Sequence, residues 1–176
     1  RHSRLGLAAS LNEVDENTRP GEIRMAVGRQ GYVGRIRCGT QLLVAAAVDR
    51  RFIKANADPT LAVNGILAQA GDAWSPTSAN WQGTPHLNRR PAAVAGWRTL
   101  LIGDACGYVE PFTGEGIANA LATGVAAADL VPQGLGDWDG KIEHAWSRTV
   151  QRLVYRRGIW CQSLARLSRH PWATSL

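Results

Sequence analysis

Cysteine is scarce and long apolar runs are absent in this sequence of 176 residues. The three cysteines, Cys38, Cys106 and Cys161, lie far apart, cannot all pair within one chain and lack the Cys-x-x-Cys spacing of a metal site. We therefore expect no bound metal and a reducing, cytoplasmic setting. Because no stretch reaches about 18 uninterrupted apolar residues, no transmembrane segment is expected. The N-terminus also lacks the long apolar segment of a secretory signal.

Lysine is scarce as well, since Lys54 and Lys141 are the only two, and arginine supplies most of the positive charge behind the formal net charge of +6. A basic chain of this kind is compatible with nucleic acid, a phosphate-bearing cofactor or acidic lipid as a partner. The arginines are dispersed, however, except for a group between Arg148 and Arg169. We therefore interpret them mainly as a solvated surface and expect no nucleic acid partner, while peripheral contact with a membrane stays open.

The first half of the chain has the pattern of an antiparallel sheet. Short apolar and β-branched segments alternate with turn signals such as NTRPG, GRQG and CGT, which favours strands joined by short links. The predicted strands cover residues 3–11, 21–28, 31–38 and 41–48. After them, Asp58 and Pro59 have the pattern of a helix N-cap and first helical residue, and predict a helix that runs to Ala70. Residues 72–97 are rich in turn-forming residues and are predicted to form a long loop.

The second half is predicted to contain a strand followed by a helix. The segment WRTLLIGD, residues 97–104, has the pattern of a buried strand that ends at Asp104. Apolar and small side chains then recur at helical spacing at Ile117, Leu121, Val125 and Ala128. They predict a helix from about Glu115 to Leu130.

Residues 139–169 carry apolar side chains near one face of a further predicted helix. These side chains are Ile142, Trp146, Val150, Leu153, Trp160, Leu164 and Leu167. Because Gly158 interrupts the pattern, one bent helix and two shorter helices are both compatible with the sequence.

The segment GDACGYVEPFTGEGI, between the predicted strand and helix, is dense in glycine around one acidic residue. A Gly-rich turn that leads into a helix presents free backbone N–H groups and the positive end of the helix dipole to a ligand. The carboxylate of Asp104, at the end of the strand, can accept hydrogen bonds from sugar or ribityl hydroxyls. The pattern indicates a ligand with a polyhydroxyl chain and an anionic group or ring carbonyl. A purely structural turn is the alternative.

The segment GDACGYVEPFTGEGIANALATG, residues 103–124, resembles the second flavin-binding motif of a family of FAD-dependent oxidoreductases. This family includes geranylgeranyl reductases, aromatic hydroxylases and flavin-dependent halogenases. The resemblance implies that Asp104 binds the ribityl chain of FAD, that Gly103 lets the backbone approach, and that Pro111 lies beside the flavin ring. The backbone that would face the pyrimidine edge of the ring is that of Gly114, Glu115, Gly116 and Ile117.

Details of the motif distinguish the branches of this family. Aromatic hydroxylases usually carry histidine where Gly107 stands and Gly-Gly-Gln-Gly in place of residues 113–116, so EPFTGEGI is closer to the geranylgeranyl reductase-like branch. That branch often has a Tyr-x-Trp-x-Phe-Pro segment in its substrate domain. At the corresponding place this chain has GYVGRIRCG, which keeps only Gly31 and Tyr32 of the pattern. The halogenase Trp-x-Trp-x-Ile-Pro signature is also missing. Reduction, oxygenation and halogenation therefore all stay open.

The Gly-x-Gly-x-x-Gly unit with which these enzymes begin does not occur in this sequence. The resemblance implies that the chain corresponds to the C-terminal part of such an oxidoreductase, that another chain could supply the N-terminal half, and that this polypeptide alone binds FAD weakly or not at all. The predicted fold class is α/β: an α+β substrate sheet plus part of a Rossmann-like FAD-binding domain. The predicted domains are the substrate sheet at 1–97, the flavin segment at 98–134 and a helical segment at 135–176.

The resemblance implies an FAD-dependent reductase or monooxygenase that receives electrons from NADH or NADPH and acts on a small apolar or aromatic molecule. Its chemistry belongs to the flavin, so catalytic side chains are harder to predict. The candidates are Tyr32, Arg35, Arg37, His86 and Arg98, and we expect a packing role for Cys106. The alternatives are a non-catalytic binding module with an incomplete flavin site, and a basic surface protein that binds anionic lipid or nucleic acid.

Overall fold

The computed structural model describes residues 3–13, 15–108 and 114–156. The described chain forms two compact units, one up to Leu87 and the other from Asn88 onward. Its mixture of helices with an antiparallel sheet is the α/β class predicted from the sequence. The domain boundaries predicted after residues 97 and 134 divide the chain by function. The two compact units do not test those boundaries.

The first unit is built on a five-stranded sheet in the order β2-β3-β4-β1-β5, in which neighbouring strands run antiparallel. The strands are β1 Leu5–Leu11, β2 Ile23–Gly28, β3 Gly31–Cys38, β4 Gln41–Val48 and β5 Gln82–His86. The first four confirm the strands predicted from the sequence. Along β4, buried and exposed residues alternate, because successive side chains point to opposite faces of the sheet.

Helix α2, Pro59–Gln69, packs on the sheet and closes the first core. The Asp58 carboxylate accepts a hydrogen bond from the amide of Thr60 over 2.7 Å, and Pro59 occupies the first turn, which confirms the predicted start. The helix buries four apolar residues against strand residues such as Val33 and Leu42. These four are Ala62, Val63, Ile66 and Leu67.

Two elements of the first unit were not predicted. Helix α1, Arg50–Asn56, has no fully buried residue, so its sequence lacks the apolar stripe by which helices are recognised. Strand β5 lies in the segment predicted to be a loop, and all five of its residues are exposed. It pairs with β1 at the edge of the sheet, where Pro85 is tolerated.

The second unit combines a short hairpin with helices. The hairpin strands are β6 Ala95–Gly96 and β7 Thr99–Leu100, and a 3₁₀ turn follows at Gly103–Cys106. Helix α3 spans Gly116–Leu130, a second 3₁₀ turn spans Val131–Gly134, helix α4 spans Gly140–Val150, and a π-helical turn continues it over Gln151–Tyr155. The buried core of this unit consists of Val94, Cys106, Trp146, Val150 and Val154.

The prediction of a buried strand over residues 97–104 was wrong. Only Thr99–Leu100 is extended as a strand, and it pairs antiparallel with Ala95–Gly96. Ile102 is exposed, and Asp104 lies in the 3₁₀ turn instead of at the end of a strand. A strand is sustained by hydrogen bonds to neighbours, and among the described residues only the short β6 pairs with this segment.

Helix α3 begins and ends within a residue of its prediction, but the stripe that predicted it is not buried. Ile117, Leu121 and Val125 are all largely exposed, whereas Thr123 on another face is fully buried. The periodicity therefore identified the helix without identifying the face that packs in this unit.

The predicted apolar face of α4 packs against the core of the second unit. Trp146 and Val150 are buried as expected, Leu153 is partly buried against the same core, and Val154, which was not predicted, is fully buried. The predicted continuation through Gly158 to residue 169 lies outside the described residues. No helix in the described part of the chain is long and apolar enough to cross a membrane.

Candidate functional site

The Gly-rich turn follows β7 and precedes α3. Gly103 begins the 3₁₀ turn at φ +56° and Gly107 follows it at φ +138°, both in the region that favours glycine, as does Gly114 at φ +70°. The amide of Gly103 donates to the hydroxyl of Thr123 in α3 over 2.9 Å. A Cβ at Gly103 would lie 3.3 Å from the Cβ of Ala120, so the missing side chain lets the turn approach the helix.

The carboxylate of Asp104 is exposed and lies beside the start of α3. Its Oδ1 atom is 3.9 Å from the position that a Cβ would occupy at Gly116, the first residue of the helix. Among the described residues, no hydrogen-bond donor is assigned to this carboxylate. Glu115 at the N-cap makes no side-chain capping hydrogen bond with the first turn. A Cβ at Gly114 would meet no atom of the described residues within 4 Å. An acceptor and a helix N-terminus thus lie side by side.

This arrangement can bind a ligand that combines hydroxyl groups with an electron-rich ring. The Asp104 carboxylate is a hydrogen-bond acceptor, and the N-terminus of a helix carries about half a positive elementary charge. The glycines at the start of α3 leave room for a planar group. These features fit the ribityl chain and ring of a flavin, the cofactor implied by the sequence resemblance.

The structure brings together part of the predicted cofactor site. Asp104 and Gly116 are close in space, and Gly103 anchors the turn to α3 through Thr123. The other described members, Gly114, Glu115 and Ile117, adjoin the start of the same helix. Pro111 lies outside the described residues.

The inner side of the turn is fixed by hydrogen bonds to the carbonyl of Leu101. This oxygen accepts from Nε1 of Trp146 over 3.1 Å and from Sγ of Cys106 over 2.8 Å. Cys106 is fully buried, and burial raises the pKa of its thiol to about 11. The thiol therefore stays protonated near neutral pH, which supports the packing role expected from the sequence.

Tyr108 lies on the far side of the turn and pairs with the segment before the hairpin. Its amide donates to the carbonyl of Arg89 over 2.8 Å, and the amide of Arg89 donates back over 2.9 Å. Burial raises the pKa of Tyr108, the negative charge of Asp104 adds to this shift, and Arg89 partly opposes it. The carboxylate of Asp104 therefore acts electrostatically on Tyr108.

The predicted catalytic residues Tyr32, Arg35 and His86 all belong to the first unit. Tyr32 is buried in β3, whereas His86 is exposed at the end of β5. Arg35 is buried: its Nε donates to Asp15 over 2.6 Å, and its two terminal nitrogens donate to Asp72 over 2.6 and 3.0 Å. This ion-pair cluster gives Arg35 a stabilising role, while catalytic roles for these three residues stay predictions.

The two further arginine candidates are also in different places. Arg37 donates from Nε to the carbonyl of Gly39 over 3.3 Å at the end of β3. Arg98 is exposed at the tip of the β6–β7 hairpin with φ +52°, and its guanidinium carbon is 5.7 Å from the ring centroid of Trp97. A positive φ is uncommon for a residue other than glycine.

Sequence reasoning missed the side chains that hold the Gly-rich turn in place. Thr123, Trp146 and Tyr155 make hydrogen bonds to backbone groups 20, 45 and 49 positions away. Long separations of this kind leave no local pattern. The one available signal was Thr123, a polar residue within an Ala-rich helix.

Several solved structures, flavin-dependent halogenases among them, share the fold of this chain. CmlS, a flavin-dependent halogenase, matches with a TM-score of 0.62 and 18% identity over 86% of this chain and 30% of its own. PqsL from P. aeruginosa, in a mutant form, matches with a TM-score of 0.61 and 18% identity over 99% of this chain and 50% of its own. QhpG, a peptidyl tryptophan dihydroxylase, matches with a TM-score of 0.59 and 17% identity over 88% of this chain and 37% of its own.

These likenesses at low identity show the fold alone. This chain spans 30% to 50% of the length of the three solved chains. No protein-family model and no curated protein sequence matches it.

Proposed function

We propose that this chain is the part of an FAD-dependent oxidoreductase that holds the ribityl chain and the ring of the flavin. The observation that carries the proposal is the position of Asp104: its exposed carboxylate has no assigned donor among the described residues and lies beside the first residue of α3. The motif resemblance and the fold shared with solved flavin-dependent halogenases support the same cofactor.

The described residues have distinct roles in this proposal. Asp104 accepts hydrogen bonds from ribityl hydroxyls, and Gly103 allows the backbone to approach. The backbone N–H groups of residues 114–117 face the pyrimidine edge of the ring, where the helix dipole favours negative charge. When bound, FAD supplies hydride transfer or the activation of oxygen, and the protein supplies orientation and electrostatics. The resemblance places Pro111 beside the ring.

We further propose NADH or NADPH as the electron donor and a small apolar or aromatic molecule as the substrate. The resemblance supports the donor, and QhpG, described as a tryptophan dihydroxylase, is a fold neighbour with an aromatic substrate. The EPFTGEGI form favours the geranylgeranyl reductase-like branch, whereas CmlS is described as a halogenase. Reductase and monooxygenase reactions are both compatible with residues 103–117, because these residues would contact the cofactor and not the substrate.

The adenosine half of FAD requires residues that this sequence does not contain. No Gly-x-Gly-x-x-Gly occurs in it, and the chain spans at most half of the solved chains reported above. We propose that another polypeptide segment or chain supplies this half of the site. Of the two outcomes expected from the sequence, weak binding of FAD and no binding, we propose weak but measurable binding, because Asp104 and the N-terminus of α3 are present in this chain.

The variant Asp104→Ala tests the cofactor role. We expect it to weaken FAD binding by about tenfold or more, because hydrogen bonds to a charged acceptor contribute about 1.5–3 kcal/mol. The measurement is a titration of flavin fluorescence with the whole chain. Asp129→Ala is the matched control, because Asp129 is an exposed carboxylate at the other end of α3. Equal affinities of the Asp104→Ala variant and the unaltered chain would contradict the assignment.

A further inference from the structure

Tyr155, at the end of the π turn, contacts the Gly-rich turn from the side of α4. Its hydroxyl donates to the carbonyl of Cys106 over 2.7 Å. A Cβ added at Gly107 would lie 3.1 Å from Cε1 of the Tyr155 ring. The ring therefore occupies the space into which a side chain at position 107 would project, and the hydroxyl fixes the peptide group just before it.

The π turn explains why Tyr155 reaches this position. Successive residues of an α-helix are rotated by about 100°, so an uninterrupted helix would place Tyr155 on nearly the opposite face from Trp146. A π turn contains more residues per turn and therefore reduces this rotation. As a result, Tyr155 and Trp146 both donate to backbone carbonyls of the same turn, Tyr155 to Cys106 and Trp146 to Leu101. Single π turns of this kind are frequent at functional sites.

A second segment, which contains Arg90, contacts the ring of Tyr155. The guanidinium carbon of Arg90 lies 4.2 Å from the centroid of the Tyr155 ring, within the range of a cation–π interaction. The preceding residue, Arg89, is hydrogen-bonded through its backbone to Tyr108. Burial raises the pKa of the Tyr155 hydroxyl, although Arg90 partly opposes this shift, so the hydroxyl remains a donor near neutral pH. The ring of Tyr155 thus makes a cation–π contact with Arg90, and its hydroxyl donates a hydrogen bond to the carbonyl of Cys106.

The hydroxyl of Tyr155 completes a two-point anchor around Asp104. On one side, the amide of Gly103 is fixed by Thr123; on the other, the carbonyl of Cys106 is fixed by Tyr155. Between these anchors the turn closes on itself through a hydrogen bond from the amide of Gly107 to the carbonyl of Asp104, at 3.2 Å. Both anchors therefore restrain the backbone from which the Asp104 side chain projects.

We propose that Tyr155 is a positioning residue for FAD, which orients the Asp104 carboxylate toward the ribityl chain by fixing the carbonyl of Cys106. The inference rests on the proposed function, since it assigns to Tyr155 a part in the same flavin site. Tyr155 acts through the turn and does not itself contact the cofactor in this account.

The test compares Tyr155→Phe, which removes only the hydroxyl, with the unaltered chain. Amide hydrogen exchange without FAD measures the turn itself, and we expect faster exchange at Gly107. A titration with FAD, followed by amide chemical shifts, measures binding, and we expect a dissociation constant about two- to tenfold higher, the typical effect of losing one hydrogen bond. Gln151→Ala, at an exposed position of the same π turn, is the control and should leave both readouts unchanged.

The outcomes separate this inference from the proposed function. If the unaltered chain responds to FAD and Tyr155→Phe matches it in both readouts, the role of Tyr155 is overturned while the flavin site stands. If exchange accelerates equally throughout α4, or affinity is unchanged while thermal stability falls, Tyr155 is only structural and the inference is also overturned. If the unaltered chain shows no response to FAD, the proposed function fails and this role fails with it.

Discussion

Arg35 uses each of its three side-chain nitrogens to bind acceptors that lie far apart in the sequence. Burial alone would raise the pKa of Asp15, but hydrogen bonds from Thr18, from the Asn17 backbone and from Arg35 lower it below its usual value. The pKa of Asp72 is lowered in the same way, mainly by Arg35 against the effect of burial. These carboxylates therefore stabilise the folded state in their charged form.

The pH dependence of stability follows from the direction of these shifts. A carboxyl group with a lowered pKa in the folded state stabilises the protein fully above its unfolded pKa of about 3.9, and this contribution is lost as the pH falls through the folded value. We expect Arg35→Met to lower the free energy of unfolding at neutral pH by about 3–5 kcal/mol, because it removes the cation that pairs with the buried Asp15 and with Asp72, while Asp72 keeps the more distant Arg24 at 3.9 Å. Urea unfolding measured at several pH values checks this.

The same substitution should change the shape of the pH profile. Without Arg35, the pKa of both carboxyl groups rises toward its unfolded value, because burial then acts against fewer opposing hydrogen bonds and charges. The variant should therefore lose less stability than the unaltered chain as the pH falls. Arg35→Lys is the control, because it keeps the charge but loses the paired hydrogen bonds to Asp72. Parallel pH profiles for the Met variant and the unaltered chain would rule out this account of the cluster.

At the scale of elements, the turn between β7 and α3 depends on glycine where the backbone has a positive φ. Gly103 combines φ +56° with close approach to Ala120, so a side chain there would meet both backbone strain and crowding. Gly124, within α3, has neither problem, because a Cβ there would meet nothing within 4 Å. The two glycines therefore respond differently to the same substitution.

We expect Gly103→Ala to lower the free energy of unfolding by about 1–2 kcal/mol, the cost of placing an L-residue in the left-handed region. Gly124→Ala should raise it by about 1 kcal/mol, because alanine has the higher helix propensity. Chemical denaturation of both variants provides the measurement. A gain in stability for Gly103→Ala would show that the turn does not have the conformation described.

Local sequence patterns correctly predicted the elements that adjacent residues determine. They failed for the elements that depend on contacts with residues far away in the sequence. Asp58 and Pro59 marked the start of α2 because capping is a property of adjacent residues. The strand predicted to end at Asp104 failed because a strand requires neighbours, which its own sequence does not describe. Tyr155 could not be predicted for the site, because its orientation depends on the π turn and its acceptor is 49 positions away.

In the whole molecule, the two compact units contain different structural features. The first unit contains the antiparallel sheet and the Arg35 cluster, and the second contains the Gly-rich turn with α3. The fold is shared with solved structures that include a flavin-dependent halogenase, but this chain spans only 30% to 50% of the solved chains reported above. If the proposed function holds, the affinity for FAD is weak, because the contacts to the adenosine half of FAD are missing from the proposed site.

A titration of the isotope-labelled chain with FAD, followed by the chemical shifts of individual backbone amides, shows directly whether the Gly-rich turn binds flavin. We expect weak binding, with the largest shifts at Asp104 and at residues 114–117, and loss of these shifts in Asp104→Ala. Shifts confined to other parts of the chain, or shifts at the turn that persist unchanged in the variant, would contradict the claim that this turn binds flavin.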